Sequence, residues 1–331
     1  MTTMQAIPVA ATRPNPYEYL GHGVKGLTTV DDMLASAGAD FEAYAAPTAG
    51  RSRDEIIVDE TTGLSTTIEG EWVLDGGLDV FRADTNEIIG RHMQGYNIVQ
   101  YATCLDVALD AATATAGEVS AIGCTDNGGS FFAAIDLGML TLDPSGVADV
   151  IDKYLVLFAS HNGKLPICIV PSNVRRPCKN ILPSIGYIPS TGGVKAKHTK
   201  NVLDKLALVK GALGIAKALE DAFVRDAEKM MAMPSSETEL MRLADKLWPL
   251  KGVSDKAKTQ QATRKDRLSQ IYQSSTCQPT LGDTRWTTYN ALTEFMDHGR
   301  GLTALKRATA AAIPGGATDK AKARMLDLCL N

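Results

Sequence analysis

Four strand-like segments follow one another with no helical pattern between them, and this run constrains the fold more than any other part of the chain. They read GEVSAIGC, SFFAAIDLG, DKYLVLFASHNG and KLPICIVPS, between residues 117 and 172. Turn residues separate them, and Asn162 followed by Gly163 is typical of a tight hairpin because both positions tolerate positive φ. Strands joined by such short turns pair antiparallel. The sequence therefore predicts an antiparallel β-meander.

The third of these segments is apolar on both faces, since large apolar side chains occupy nearly every position from 154 to 159. A strand of this kind lies centrally in its sheet. After the meander, SNVRRPCKNILPS is predicted to form a short helix, because Ser172 or Asn173 can cap it and Pro177 fits a first turn. Beyond residue 197 the apolar spacing is helical, most clearly over 202–230. The predicted fold class is α+β: an antiparallel meander followed by a helix, with a mostly helical C-terminal half.

Changes in composition along the chain predict three regions. Residues 1–26 are rich in Pro, Gly and small residues and are expected to form an extended N-terminal arm. Residues 27–196 are expected to form the α+β core with the antiparallel sheet, including a hairpin over 82–90 and a helix over 98–115. Residues 197–331 form the predicted helical C-terminal region.

Length and composition indicate an ordinary water-soluble protein. The chain has 331 residues, with 34 Lys and Arg against 38 Asp and Glu, and no apolar run of the roughly 18 residues that a membrane span needs. The first residues lack the basic and apolar pattern of a signal peptide, so a cytoplasmic location without membrane association is expected. The six cysteines include no closely spaced pair, which favours reduced thiols over a metal or redox site.

Positive charge is concentrated in one stretch of the chain. Residues 164–217 contain ten Lys or Arg and a single acid, Asp204, which gives a local charge of +9. Such a stretch attracts phosphate backbones by counterion release; the alternative is an ordinary solvated face. The candidate nucleic-acid-binding residues are Lys164, Arg175, Arg176, Lys179, Lys195, Lys197, His198, Lys200 and Lys205.

Common enzyme motifs are missing from the sequence, which contains no phosphate-binding P-loop, no dinucleotide-binding G-x-G-x-x-G and no H-E-x-x-H zinc motif. No cofactor and no nucleotide hydrolysis are therefore expected. One enzymatic alternative stays open, a metal-dependent nuclease using Asp126, Asp136 or His161. Against it, no third acid has a telling spacing, and His161 beside a hairpin turn is also typical of a histidine without catalytic duty.

Several segments, in this order, resemble the phage and plasmid protein family known as domain of unknown function 932. They are YLGHGVKGLTTVDDMLASAGADFEAY, FRADTNEIIG, GYNIVQY, the hairpin with SHNG, VRRPCKNIL, KHTKN and TRWTTYNALTEFMDHGRG. The most specific piece is Arg175, Cys178, Asn180 and Leu182, followed by His198 and Thr199. Pro177 and Pro183 depart from the usual pattern and weaken the case for a regular helix there. The resemblance implies an origin in a mobile genetic element, such as a phage or prophage.

A meander, a following helix and a basic groove are together similar to the phage single-strand annealing proteins of the Red beta and Erf type. This fold-level analogy implies an oligomer, ring or filament, that binds and anneals single-stranded DNA in recombination, with host or phage recombination proteins as further partners. Arg175, Arg176 and Lys179 would contact phosphates, and Tyr154 and Tyr187 would supply stacking surfaces. The alternative from another functional class is a protein that binds a host factor through its acidic N-terminal half.

Overall fold

The computed structural model describes residues 15–51, 54–59, 61–144, 146–182, 194–196, 198, 213–250, 254–300 and 314–331. Its main sheet contains the predicted meander. Four consecutive antiparallel strands pair in sequence order, a short strand joins at each end, and one further strand pairs with the last of the four. These strands are β1 (His22–Gly23), β7 (Glu118–Thr125), β8 (Ser130–Leu142), β9 (Asp149–Ser160), β10 (Ile167–Arg175), β11 (Asn180–Leu182) and β12 (Val194–Ala196).

β9 lies between β8 and β10, and the prediction that both of its faces are apolar is confirmed. Leu155 and Leu157 face one core, which contains the helix α3 (Tyr101–Ala114) and the helix α2 (Val30–Ser36). Tyr154 and Val156 face a second, smaller core on the opposite side of the sheet. The central strand thus separates two apolar layers, as its continuous apolar sequence requires.

The second core is closed by the short helix α1 (Pro16–Leu20), which follows the capping residue Asn15. Tyr17 of this helix is buried, and its hydroxyl donates to Ser172 Oγ at 2.6 Å. β1 follows directly and pairs with β7. Residues 15–26, in the stretch predicted as an extended arm, therefore hold a helix and an edge strand packed on the sheet. Residues 1–14 lie outside the described residues.

A separate antiparallel unit lies between α2 and α3 in the chain. Its strands are β2 (Ala43–Arg51), β3 (Glu55–Val58), β4 (Ser65–Ile68), β5 (Trp72–Arg82) and β6 (Ile88–Met93). A three-stranded sheet has the order β2-β5-β6, and the hairpin predicted over 82–90 connects β5 and β6. A two-stranded hairpin, β3 with β4, is inserted between β2 and β5.

The C-terminal half is helical, as predicted. Its helices enclose a third core that includes Leu142, Ile151 and Leu182 from the sheet. Ser236 and Ser254 each cap a helix by accepting a backbone N–H. The helices are α4 (Leu213–Ala232), α5 (Glu237–Leu247), α6 (Asp255–Tyr272), α7 (Gln278–Leu281), α8 (Arg285–Glu294) with a π-helical turn (Phe295–Gly299), and α9 (Ala317–Leu330). The start of the helix predicted over 202–230 lies outside the described residues.

One prediction about the fold was wrong: the segment SNVRRPCKNILPS does not form a helix. β10 continues to Arg175, a four-residue turn follows, and β11 begins at Asn180. The backbone pairs Arg175 with Asn180 across this hairpin. Pro177 occupies the turn, where its missing N–H costs no ladder bond, and Lys179 has the left-handed φ of 57° that closes it.

Within the parts of the chain that the structure describes, no helix is both long enough and apolar enough to cross a lipid bilayer.

Candidate nucleic-acid interface

Basic residues cluster at the two ends of β10. β11 pairs with the last residues of this strand, at 173–175, while β12 pairs with its first residues, at 167–169. The chain therefore leaves the sheet after Leu182 and returns at Val194 to the other end of the same strand. The candidate cations 175, 176 and 179 lie at the β11 end, and those at 164 and 195 lie at the β12 end.

Arg175 is the clearest correction to the predicted site, because its side chain is fully buried. Its Nε donates to both carboxylate oxygens of Asp149, at 2.7 and 2.9 Å, and its Nη1 donates to the backbone oxygen of Thr276 at 2.6 Å. Trp286 Nε1 donates to the same carboxylate at 2.8 Å. A guanidinium held in this way links sheet to helices and does not face a phosphate.

The other residues of the Arg175, Cys178, Asn180 and Leu182 motif are buried as well. Asn180 donates to Thr293 Oγ1 at 3.1 Å. One residue further on, the Ile181 N–H donates to Asp297 at 3.0 Å, and Lys322 donates to the Ile181 carbonyl at 2.5 Å and to Asp297 at 2.6 Å. We call this set the sheet–helix joint: Asp149, Arg175, Asn180 and Ile181 with Thr276, Trp286, Thr293, Asp297 and Lys322.

Arg176 and Lys179 lie in the exposed turn just outside the joint. The Arg176 side chain is 46% exposed, and its Nε donates to Asp152 Oδ1 at 2.9 Å. Lys179 Nζ lies 3.5 Å from the other oxygen of the same carboxylate. The bond to Asp152 raises the pKa of Arg176 further above its usual range, so the side chain stays charged. Two cations share one acid, and the turn keeps a net positive charge.

A cleft of about 450 Å³ opens beside this turn. Arg176 and Lys179 line it together with residues 147–150 at the start of β9. Ser275, just before α7, and Thr280, within α7, complete the lining. Its volume lies within the range of small-ligand sites. It offers room for a sugar or phosphate group next to the two cations.

At the opposite end of β10, Lys164 is 60% exposed and lies 2.7 Å from Asp126. That ion pair holds the pKa of the Asp126 carboxyl below its usual range. In β12 the backbone of Lys195 pairs with Cys168. Four predicted positions lie outside the described residues: Lys197, Lys200, Lys205 and Tyr187.

His198 is half-buried and does not act as a surface cation. Its ring stacks on Tyr96 at a centroid distance of 4.8 Å, and Tyr96 stacks on His92 at 3.7 Å. Its Nδ1 donates to the Asn97 carbonyl at 3.0 Å. Burial lowers the pKa of His198, so the ring is neutral near pH 7. His198 therefore fastens the return of the chain to the region before α3.

Tyr154, proposed as a stacking surface, is only 7% exposed. Its hydroxyl accepts a hydrogen bond of 2.6 Å from Asn15, and its ring packs 5.3 Å from that of Tyr17. Burial raises the pKa of this hydroxyl. The ring is a packing residue of the second core and is not available to a base.

The residues considered for a nuclease do not come together. Asp126 lies just before β8, whereas Asp136 lies six residues into this strand and pairs with Tyr154, so roughly 20 Å separates them along the strand. Asp136 bonds to Lys25 at 3.1 Å. His161 is 1% exposed and stacks on Tyr101. In the described part of the chain, no three metal-ligating side chains converge.

Asp152 is the functional candidate that sequence reasoning missed. It pairs with both cations of the turn, Arg176 and Lys179, although it precedes them by more than twenty residues. The one available signal was its place in a meander strand next to the segment containing the two arginines, because residues on neighbouring strands face each other across the ladder.

The fold defines an α+β protein in which one antiparallel meander is fastened to a helical region by a buried polar joint. Residues 89–324 match the sequence family described as Domain of unknown function (DUF932), and the chain belongs to this family. The match includes the meander, the joint and the helical region. No curated protein and no solved structure was found to match.

Proposed function

We propose that this protein binds single-stranded DNA along the sheet edge formed by β11, β12 and the part of β10 between them, and anneals complementary strands. The observation that carries the proposal is the placement of basic residues at both ends of this edge. Eight residues separate Cys168, opposite Lys195, from Arg176, a span of about 26 Å at roughly 3.3 Å per residue. Cations spaced along an edge of this length suit an extended phosphate backbone better than a compact ligand.

The charge distribution supports a nucleic acid as the ligand. The chain carries −4 overall, yet residues 164–217 carry +9. The exposed ion pair of Lys164 with Asp126 is weak in water, so a phosphate can replace its carboxylate at small cost. At the other end, Arg176 is 46% exposed and can bind a phosphate while Lys179 stays beside Asp152. Arginine adds a bidentate fit to phosphate.

Annealing is the activity that such a basic sheet edge supports without a chemical step. A protein that holds the backbone leaves the bases free to pair, and it needs neither a cofactor nor nucleotide hydrolysis. We infer that several copies assemble as a ring or filament, in the cytoplasm of a cell carrying a phage or prophage, and cooperate there with recombination proteins. No membrane partner is part of this proposal.

The decisive test is fluorescence anisotropy with a labelled single-stranded oligonucleotide and its duplex across a salt series. Single-strand binding that weakens with salt is expected. In the double variant Arg176→Ala with Lys179→Ala, the slope of log affinity against log salt should fall by about 1.4, at roughly 0.7 for each lost phosphate contact.

The matched control is Lys25→Ala with Lys258→Ala, which removes two exposed, acid-paired lysines. Lys25 follows β1 at the opposite edge of the sheet, and Lys258 lies in α6. Equal slopes for the two double variants would remove the turn from the site. No binding at low salt would overturn the whole proposal, as would cleavage of the DNA with magnesium or manganese, which would favour a nuclease.

Annealing is then measured with complementary strands that carry a fluorophore and a quencher, without added nucleotide. The protein should accelerate quenching over the spontaneous rate, and the Arg176 and Lys179 variant should lose most of this acceleration. Binding without acceleration would leave a DNA-binding protein and remove the annealing activity.

A further inference from the structure

The two-stranded hairpin β3–β4 extends the sheet β2-β5-β6 as a ribbon. Arg51 pairs with Trp72 at the end of the β2–β5 ladder, and Glu55 pairs with Ile68 four residues further along each strand. The register is therefore continuous from one ladder into the next. β6 pairs only with residues 77–81 of β5, so the ladder beyond that point has two strands.

We call the described residues from 54 to 75 the acidic ribbon, for its carboxylates. Every residue of β3 and β4 is exposed, on both faces. Eight of the fourteen large, exposed apolar side chains among the described residues belong to it. They are Ile56, Ile57, Val58, Leu64, Ile68, Trp72, Val73 and Leu74.

A ribbon of this kind is poorly suited to exist alone in water. Isolated two-stranded hairpins are marginally stable, and strands with apolar residues on both faces ordinarily lie inside a sheet or interface. A side chain of this kind has roughly 60–120 Å² of apolar surface in total. Because the eight residues are 49–74% exposed, they present on the order of 400 Å² of apolar surface to solvent. That is a substantial part of the approximately 800 Å² that each partner contributes to a standard interface.

The charge of the acidic ribbon indicates which kind of surface it binds. Residues 54–75 contain seven acids and no Lys or Arg, so the segment carries −7. The remainder of the chain has 34 basic residues against 31 acids, or +3. Two such ribbons repel each other, and anionic lipid or nucleic acid is repelled as well. Outside the ribbon the positive charge is concentrated in residues 164–217, which carry +9, so the basic stretch of a second copy offers the complementary field.

We propose that the acidic ribbon docks on the body of a second copy of this chain, in a head-to-tail contact. Such heterologous contacts continue from copy to copy and close into rings or extend into filaments. The ribbon precedes residues 89–324, the stretch that matches the family model. The inference does not depend on DNA binding.

The test is sedimentation velocity of the full chain without DNA, over a range of protein concentrations. The wild type should self-associate, and added salt should weaken the association. The double variant Trp72→Thr with Leu74→Thr replaces two exposed side chains. Because each substitution should weaken self-association by about tenfold, the dissociation constant should rise by about two orders of magnitude. A second variant at the far part of the ribbon, Ile57→Thr with Ile68→Thr, should act in the same direction.

The control Met139→Thr removes a 58% exposed apolar side chain in β8, outside the ribbon, and should leave association unchanged. A photo-crosslinking residue at Thr66, in a mixture of isotopically light and heavy protein, should link to residues outside 54–75 of the other copy. A monomeric wild type, ribbon variants that assemble normally, association that strengthens with salt, or ribbon-to-ribbon links would each overturn the proposal. So would a monomer that binds vesicles or another protein through the ribbon.

Discussion

Arg175 and Asp149 form an ion pair that is closed to solvent, with side chains 0% and 1% exposed. The carboxylate also accepts from Trp286, and the guanidinium also donates to Thr276, so sheet and helices share one bonded group. These hydrogen bonds compensate the cost of burying the carboxylate and the guanidinium in a low-dielectric interior. If only one partner is removed, the other charge stays buried without this compensation.

Arg175→Met should destabilise the fold by about 3–5 kcal/mol, because it leaves the Asp149 charge buried beside Trp286 without its cation. Urea denaturation followed by circular dichroism measures the change. The companion substitution Arg176→Ala removes a half-exposed cation and leaves Lys179 beside Asp152, so it should cost about 0–1 kcal/mol. Equal losses for the two neighbouring arginines would contradict the assignment of Arg175 to the joint. A loss of DNA binding in Arg175→Met would assign Arg175 to the DNA site only if circular dichroism shows that the variant is folded.

Substitutions at Lys179 separate the effect of backbone strain on stability from the effect of charge on DNA binding. The φ of 57° at Lys179 is costly for a residue with a Cβ, whereas glycine adopts it freely. Lys179→Gly should therefore be more stable than Lys179→Ala by about 1 kcal/mol. Both variants should lose the same single phosphate contact in the anisotropy assay. Comparison of their urea midpoints checks the first statement; an alanine variant as stable as the glycine variant would show that the turn is unstrained.

His161 predicts a dependence of stability on acid. Burial, together with the nearby His198 and His92, lowers its pKa to about 3, far below the ordinary 6.5 of the unfolded chain. The unfolded state therefore binds a proton first, and stability falls as pH decreases from 6.5 toward 3. At pH 5 this group alone should remove about 2 kcal/mol relative to pH 7.

His161→Phe keeps the ring against Tyr101 and removes both ring nitrogens, which lack hydrogen-bond partners in the structure. The variant should match the wild type at pH 7 within about 1 kcal/mol and lose the acid-dependent part. Unfolding free energies at pH 7, 6 and 5 for the two proteins decide the matter. Parallel curves would exclude His161 as the source.

Gly90 lies where β6 approaches the hairpin between β9 and β10. A Cβ at this position would overlap the carbonyl group of His161. Gly90→Ala should therefore cost about 1–3 kcal/mol or more, since the backbone must move to admit the methyl group. At Gly50, in β2, an added methyl group would meet no neighbour within 4 Å, so Gly50→Ala should be neutral or slightly stabilising. Thermal unfolding of both variants measures the contrast.

The meander could be predicted because its information is local. Short apolar runs bounded by turn residues mark each strand, and Asn162 with Gly163 marks a turn whatever surrounds it. The hairpin after β10 could not, because Ser172, Asn173 and Pro177 begin a helix as readily as they enter a turn. What decides between them is the pairing of Arg175 with Asn180 and the fit of both against the helical region.

The sequence could predict where in the chain the candidate site lies, but not which of its side chains are buried. A count of charges along the sequence finds Arg175 and Arg176 equally basic, yet one is buried and the other half-exposed. The difference comes from Asp149 and Trp286, which are 137 residues apart in the chain. No local sequence pattern predicts this long-range contact, because it depends on how the sheet and the helical region pack against each other.

The sheet–helix joint also bears on the order of folding. Lys322 reaches the carbonyl group of Ile181 across 141 residues of chain, and Asn180 reaches Thr293 across 113. Contacts of such sequence separation form slowly, since a large loop must close before they contribute. The meander can form early because its strands are neighbours in the chain. β11 can bond to Thr293 and Lys322 only after the last helices have packed against the sheet. Refolding should therefore show protection of the β8 and β9 amides in hydrogen exchange before those of residues 180–182.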